Sequence, residues 1–248
     1  MKTALITGAT SGIGAATARI LAQDYRLILC GRRTEQLEKI KQELGRFTEI
    51  HTLSFDVSDR KAVFSAIASL PQQWQTIDVL INNAGNAHGL DRFQDADLDD
   101  FDAMIDINIK GLIYVTKAVL PLMEHSHDAH IVNLSSIAGK ETYLNGTVYC
   151  ASKAAVEAIS KGLRMDLLER GIKVTNVAPG AVETAFSAVR FKGDEQRAAQ
   201  VYQGYIPLTP EDIGNAIFYA LSQPEHVQLA DITLFPKSQA AATMIKKN

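Results

Sequence analysis

Short apolar runs and amphipathic stretches alternate along the chain. Runs rich in Val, Ile and Leu end at Thr7, Cys30, Phe55, Ile81, Leu134, Val177 and Phe235. Runs this short, with little polar interruption, read as strands buried on both faces of a parallel sheet. Helical periodicity lies between them, near 12–24, 34–44, 59–70, 101–124, 149–169 and 210–221. Thr209-Pro210-Glu211-Asp212 is a helix start with a cap residue, proline at the first position and acids in the first turn. The alternation predicts an α/β fold, a Rossmann-like doubly wound parallel sheet of about seven strands with helices on both faces. No repeat, low-complexity tract or linker interrupts it, so residues 1–248 are expected to form a single domain. In such sheets ligands lie beyond the carboxyl ends of the strands, so the chemistry belongs just after each apolar run.

After the first run comes Thr7-Gly8-Ala9-Thr10-Ser11-Gly12-Ile13-Gly14, and then a helix. Glycines let a backbone turn tightly against a pyrophosphate, and the helix N-terminus offers free N–H groups. The spacing is G-x-x-x-G-x-G rather than the commoner G-x-G-x-x-G; the context, strand before and helix after, is the one a dinucleotide needs. The second run ends in Gly31-Arg32-Arg33, where an NAD site usually places a carboxylate. Two guanidiniums suit a ribose 2′-phosphate, so NADP is expected over NAD. Asp56-Val57 after the third run is read either as a neighbour of the adenine or as a helix cap. Asn82-Asn83-Ala84-Gly85 follows the fourth run and is expected to hold the cofactor ribose and brace the central sheet.

Tyr149 and Lys153 are four residues apart, one helical turn, with Ser136 thirteen residues upstream. Asn108 lies inside the helical stretch 101–124, an unfavourable place for asparagine. It is either a satisfied buried amide or a residue that bends the helix and lines a water path. Pro179-Gly180 closes the sixth run, ahead of a segment at about 181–208 that reads as a substrate lid.

In their order and spacing, T-G-A-T-S-G-I-G, N-N-A-G, Asn108, Ser136, Tyr149-x-x-x-Lys153 and Pro179-Gly180 resemble the short-chain dehydrogenase/reductase family over essentially the whole chain. The resemblance implies that Tyr149 is the general acid/base and that Ser136, rather than Ser135, orients the substrate oxygen. It implies that Lys153 binds the ribose and lowers the tyrosine pKa, and that Asn108 holds a relay water. Cofactor contacts are implied for Gly8, Thr10, Ser11, Gly12, Ile13 and Gly14. They extend to Arg32, Arg33, Asp56, Val57, Asn83, Ala84 and Gly85, to Tyr149 and Lys153, and to Pro179, Gly180, Val182 and Thr184.

Val189-Arg190-Phe191-Lys192-Gly193-Asp194 and Leu208-Thr209-Pro210-Glu211-Asp212 are similar to the NADP-dependent 3-hydroxy acid (serine or allo-threonine) dehydrogenases, which in reverse are malonic semialdehyde reductases. A small 3-hydroxy acid such as L-serine, L-allo-threonine or 3-hydroxypropionate is then the expected substrate. Arg190 is the candidate anchor for its carboxylate, since a guanidinium can grip a carboxylate with two bonds. The alternatives are a short-chain reductase of another carbonyl compound (a 3-oxoacyl carrier, sugar or steroid) and a non-catalytic NADP sensor. A homotetramer built through the helices near 101–124 and 149–169 is implied by the resemblance alone.

Composition narrows the field. Net charge is −3 with no long basic block, so nucleic acid is not an expected partner. No apolar run reaches the roughly 18 residues of a membrane span. With no secretory leader and only Cys30 and Cys150, a cytoplasmic protein without disulfides is expected. His125, His127 and His130 are read as surface loop residues rather than a metal site, and the acids from Asp95 to Asp102 as a helix start rather than a calcium loop. Cys150 is read as a small core residue. No metal is expected.

Overall fold

In the computed structural model, which describes residues 1–248, seven strands pair in parallel. They are β1 (Lys2–Thr7), β2 (Tyr25–Gly31), β3 (Ile50–Ser54), β4 (Val79–Asn82), β5 (His130–Leu134), β6 (Lys173–Pro179) and β7 (Asp231–Leu234), in the order β3-β2-β1-β4-β5-β6-β7. The helices are α1 (Gly12–Leu21), α2 (Thr34–Leu44), α3 (Arg60–Ala68), α4 (Leu98–Ile105), α5 (Leu112–Met123), α6 (Thr147–Asp166), α7 (Phe186–Arg190), α8 (Glu195–Gln200) and α9 (Pro210–Leu221). None is long and apolar enough to cross a membrane.

Within each apolar run, alternate side chains go to opposite faces. Ala4, Ile6, Leu27, Leu29 and Ile81 pack under α1, α2 and α9, while Leu5, Ile28, Leu80 and Ile131 pack under α3 and α5. On α9, Ile213, Ile217 and Leu221 recur at helical spacing and are buried; each contributes about 1.5–3 kcal/mol. Gly214 lets α9 close on α1, for a Cβ there would lie 2.6 Å from Ile20 Cδ1. The Thr209 start forms a full capping box with Asp212.

The chain runs outward from β1 through β2 to β3, then returns to β4 on the other side of β1. The connections after β1 and β4 therefore part in opposite directions and leave a crevice at their carboxyl ends, the ligand position of this architecture. Asn83 braces it. Its Nδ2 donates to the carbonyls of Thr7 (2.9 Å) and Gly8 (3.2 Å), while Thr7 Oγ1 accepts from the backbone N–H of Asn83 and of Ala84 (both 3.0 Å). Asn82 is spent on the core instead, donating to Thr116 Oγ1 and Asn133 Oδ1, each at 2.9 Å.

Three expectations are revised. The stretch 101–124 is not one uniform helix: α4 and α5 are joined by a π-helical segment, Asp106–Gly111, with Asn108 inside it. The periodicity is almost continuous across this wider turn, so hydropathy could not reveal it. Second, the segment 181–208 holds two short helices, α7 and α8, too short to give a periodic signal. Third, His130 is not a surface loop residue. It opens β5 and is 2% exposed, its Nε2 meeting Thr175 Oγ1 at 2.7 Å. Thr175 Oγ1 in turn donates to Leu229 O, so the imidazole Nε2–H is the donor in the first of these bonds.

Burial, reinforced by the charges of Lys173 and Lys2 and opposed by Asp128, lowers the His130 pKa from 6.5 to about 4. The neutral ring therefore stabilises the fold fully above pH 6.5, and that contribution is lost as pH falls towards 4. The gap corresponds to about 3 kcal/mol at pH 4. His130→Gln, which keeps a donor near Nε2, is expected to flatten the decline of urea-unfolding free energy between pH 6.5 and 4 by that amount. An unchanged slope would assign the acid sensitivity elsewhere.

Candidate active site

The glycine turn is built for close approach. Gly8 and Gly12 have φ of +65° and +53°. A Cβ on Gly14 would lie 2.4 Å from Gly8 O and 2.5 Å from Asn83 Nδ2, so α1 can start there only with glycine. Like α5, α6 and α7, helix α1 has no side-chain cap and no acid in its first turn, and it alone of these starts from the glycine turn. An uncapped N-terminus at the crevice fits a phosphate. Ile13 turns away and packs against the apolar core.

Of the two arginines at the second strand end, Arg33 reaches this turn and Arg32 does not. Arg33 Nη2 donates to Thr10 Oγ1 and Ser11 Oγ, each at 2.9 Å. Arg32 pairs with Asp56 at 3.2 Å. Asp56 is no helix cap: Asp59 caps α3, and Asp56 instead accepts from Ser58 N and Ser58 Oγ at 2.9 and 2.7 Å. Those bonds and the Arg32 charge outweigh its burial and hold the carboxyl below its usual range. Val57 faces Gly111, whose missing side chain leaves it room: a Cβ would meet Val57 Cγ2 at 2.8 Å.

Beyond β4 and β5, Ser136 lies beside Tyr149, and Lys153 lies beside Asn108 at Gly85. Tyr149 and Lys153 are both buried on α6. Burial pushes the phenol up, as does neighbouring Tyr143; the Ser136 hydroxyl and the Arg190 charge pull it down. Burial alone lowers Lys153 from 10.5 to about 8, and its Nζ donates to Leu134 O at 2.9 Å. Asn108 is a satisfied buried amide: Oδ1 accepts from Asn86 N at 2.8 Å, and Nδ2 donates to Asn86 O and Ser152 Oγ at 2.9 and 3.0 Å. Lys153 Nζ and Asn108 Oδ1 each lie 3.2 Å from where a Cβ on Gly85 would sit. The bare Gly85 backbone thus keeps these two polar groups side by side.

The two serines separate cleanly. Ser135 is 4% exposed and donates to Lys153 O at 3.1 Å, tying β5 to α6. Ser136 accepts from Ala138 N at 3.1 Å and its hydroxyl lies beside Tyr149. Cys150 is a buried free thiol whose pKa burial raises.

The segment after Pro179 is pinched at its base. Val182 and Leu208 form a bridge, and Leu208 N donates to Ala181 O at 2.9 Å. Gly180 leaves space for Gln239, as a Cβ would lie 2.4 Å from its Oε1. Thr184 Cγ2 reaches within 3.5 Å of the Cβ position of Gly12, so the segment begins over the glycine turn. It then carries Phe186 against Tyr149, ring centres 5.8 Å apart, and Arg190 Cζ to 5.4 Å from the centre of the Tyr149 ring. Sequence reasoning missed Tyr143, whose Oη accepts from Arg190 Nη2 at 3.1 Å, and Gly89, whose carbonyl accepts from Arg190 Nε at 3.2 Å. No motif marks either; Tyr143 had only its place six residues before Tyr149, ahead of Asn145-Gly146. No group of three or more His, Cys, Asp or Glu side chains is placed to hold a metal ion.

A model of the family described as short chain dehydrogenase matches residues 2–195. The chain is 44% identical over 248 residues to an NADP-dependent 3-hydroxy acid dehydrogenase of Schizosaccharomyces pombe, covering 98% of this chain and 96% of that protein. It is 42% identical over 240 residues to the NADP-dependent 3-hydroxy acid dehydrogenase YdfG of Escherichia coli K12, covering 96% of each. Among solved structures, the closed form of a serine dehydrogenase complexed with NADP+ superposes with a TM-score of 0.92 at 42% identity, covering 99% of both chains. A 3-ketoacyl-ACP reductase of Sinorhizobium meliloti 1021 gives 0.82 at 28% identity, covering 94% of this chain and 96% of that one.

Proposed function

The chain belongs to the short chain dehydrogenase family, and from that premise we propose that it is an NADP-dependent oxidoreductase interconverting small 3-hydroxy acids and their 3-oxo acids or semialdehydes. One observation carries the substrate class: a guanidinium, Arg190, stands over a buried tyrosine beside a serine hydroxyl. A carboxylate on that guanidinium would sit a short distance from a hydroxyl held by Ser136 and Tyr149, as a 3-hydroxy acid requires.

The residues at the crevice fit NADP. The uncapped α1 N-terminus and glycine turn would hold the pyrophosphate, and Arg32 and Arg33 the 2′-phosphate. Ala84, Gly85 and Lys153 would hold the ribose, and Pro179 to Thr184 the nicotinamide end. Bound there, it supplies the hydride acceptor or donor. In oxidation, Ser136 and Tyr149 hold the substrate hydroxyl and Tyr149 takes its proton; in reduction the phenol gives the proton back to the forming alkoxide. In this reading Arg190, whose charge pulls the phenol's pKa down, and Lys153, one turn further along α6, act against its burial. Asn108, with its amide fixed by Asn86 and Ser152, keeps the backbone shape beside Lys153 through which a relay water would pass. The segment 181–208 serves as the lid, and tetramer assembly through α5 and α6 belongs to the same reading, with Ile113 and Met165 39% and 74% exposed.

The test is an NADP-linked absorbance assay. L-Serine, L-allo-threonine and 3-hydroxypropionate are expected to be oxidised with NADP+ at least tenfold more efficiently than any 3-oxoacyl thioester is reduced with NADPH. Preference for the thioester would replace this reading with that of an acyl-carrier reductase.

A further inference from the structure

We propose that Tyr143 and Gly89 are positioning groups that aim Arg190 at the substrate carboxylate; this rests on the reading of Arg190 given above. Three chain segments meet at this guanidinium. Gly89 engages Arg190 twice, its N–H donating to Arg190 O at 2.9 Å and its carbonyl accepting from Nε at 3.2 Å. Tyr143 accepts from Nη2 at 3.1 Å, and its ring centre lies 5.7 Å from Cζ. Two residues further on, Lys192 pairs with Asp100 of α4 at 3.0 Å, pinning the end of α7 to the same neighbourhood.

The backbone is shaped to deliver these contacts. Gly89 has φ of +67°, and a Cβ there would press to 3.2 Å from Asp100 Oδ2. The Tyr143 ring packs against Gly146, where a Cβ would come within 2.3 Å of it. Asn145 takes φ of +66° between them. Glycines at 89 and 146 and a left-handed Asn145 thus place two acceptors around one arginine.

A guanidinium has five N–H donors in a planar fork. Gly89 and Tyr143 occupy one on Nε and one on Nη2. Three remain, on Nη1 and Nη2, and these two nitrogens form the fork that grips a carboxylate with two parallel bonds. Fixing the other edge removes rotamer freedom that a long side chain would otherwise lose on binding. The arrangement selects for a carboxylate at a set distance from the reacting hydroxyl. It offers nothing to a neutral alcohol.

The experiment compares 3-hydroxypropionate with its neutral methyl ester in the full-length enzyme with NADP+. Tyr143→Phe keeps the ring and removes one acceptor. It is expected to lower the acid-to-ester ratio of kcat/KM about tenfold, mainly through KM for the acid, with the ester changed less than about twofold. Gly89→Ala is expected to lower the same ratio. In an Arg190→Ala background, Tyr143→Phe is expected to have no further effect, the non-additivity of residues acting through one group. If Arg190→Ala lowers the ratio and Tyr143→Phe does not, or if Tyr143→Phe depresses acid and ester alike, the positioning role is overturned while the anchor stands. If Arg190→Ala leaves the ratio unchanged, the anchor itself is wrong and the positioning role falls with it.

Discussion

Tyr149→Phe is expected to lower kcat by about 10²–10⁴-fold, the usual worth of a placed acid/base group, while changing NADP+ affinity less than about twofold. A free tyrosine ionises near pH 10, and a base working near neutrality needs that value lowered at a cost of about 3–4 kcal/mol. Here burial acts in the wrong direction, so the deficit is larger than for an exposed phenol. One positive charge about 4 Å away is worth about 4 kcal/mol at an effective dielectric near 20. A single cation therefore barely suffices; Arg190 Cζ lies 5.4 Å from the ring centre, and Lys153 stands one turn further along α6. Lys153 is buried with a pKa of about 8 and loses charge as pH rises through that value. Phenylalanine keeps the packing against Phe186, and loss of one hydroxyl costs only about 1 kcal/mol of stability. Turnover would be followed by NADPH absorbance, cofactor binding by fluorescence titration, and folding by thermal melting. Near-normal turnover in a folded variant would refute the acid/base assignment.

Most of the sheet was legible because its five inner strands are buried on both faces. Such strands leave unbroken apolar runs, and the runs ending at Thr7 and Leu134 end there in the structure too. Elsewhere the strand ends differ by one or two residues, at Cys30 against Gly31 and Val177 against Pro179, where glycine and proline still pair at the rim. The glycine turn was legible because steric demand leaves a residue-type record: only glycine fits at 8 and 14. The π-helical segment left only Asn108 as an oddly placed asparagine; its wider turn and its partner, the backbone of Asn86, could not be read. The Arg190 site was half legible. Arg190 stood out as a cation in a loop, whereas its partners are a carbonyl and a phenol brought from residues 89 and 143 by the fold. His130 was misread because it closely follows the polar stretch His125-Ser126-His127-Asp128; what buries it is pairing between β4 and β6, and sequence cannot show that.

Replacing Arg33 by Ala is expected to weaken NADP+ binding about 100-fold and Arg32→Ala about tenfold, with the double variant near 10³-fold, at about 1.5–3 kcal/mol per charge-assisted hydrogen bond. The order follows from geometry. Arg33 is anchored on Thr10 and Ser11, so its charge is already fixed at the turn that would receive the cofactor. Arg32 is 69% exposed and shared with Asp56, so solvent and the carboxylate both dilute it. NAD+, lacking the 2′-phosphate, is the control, and calorimetric titration of both cofactors makes the comparison. NAD+ affinity should stay within about threefold of wild type. If Arg33→Ala weakens NAD+ and NADP+ equally, its bonds to Thr10 and Ser11 serve the turn rather than the phosphate. Unchanged NADP+ affinity in the double variant would remove the cofactor preference altogether. The Asp56 carboxylate provides a sharper test of the same idea. Removing Arg32 leaves it ionised, still held by Ser58, and now unpaired beside the incoming phosphate. Part of the Arg32→Ala loss is then repulsion, so adding Asp56→Asn should recover about half of it on a logarithmic scale, for NADP+ and not for NAD+. Recovery of both cofactors would trace the effect to the loop, since only one of them carries the charge that Asp56 repels.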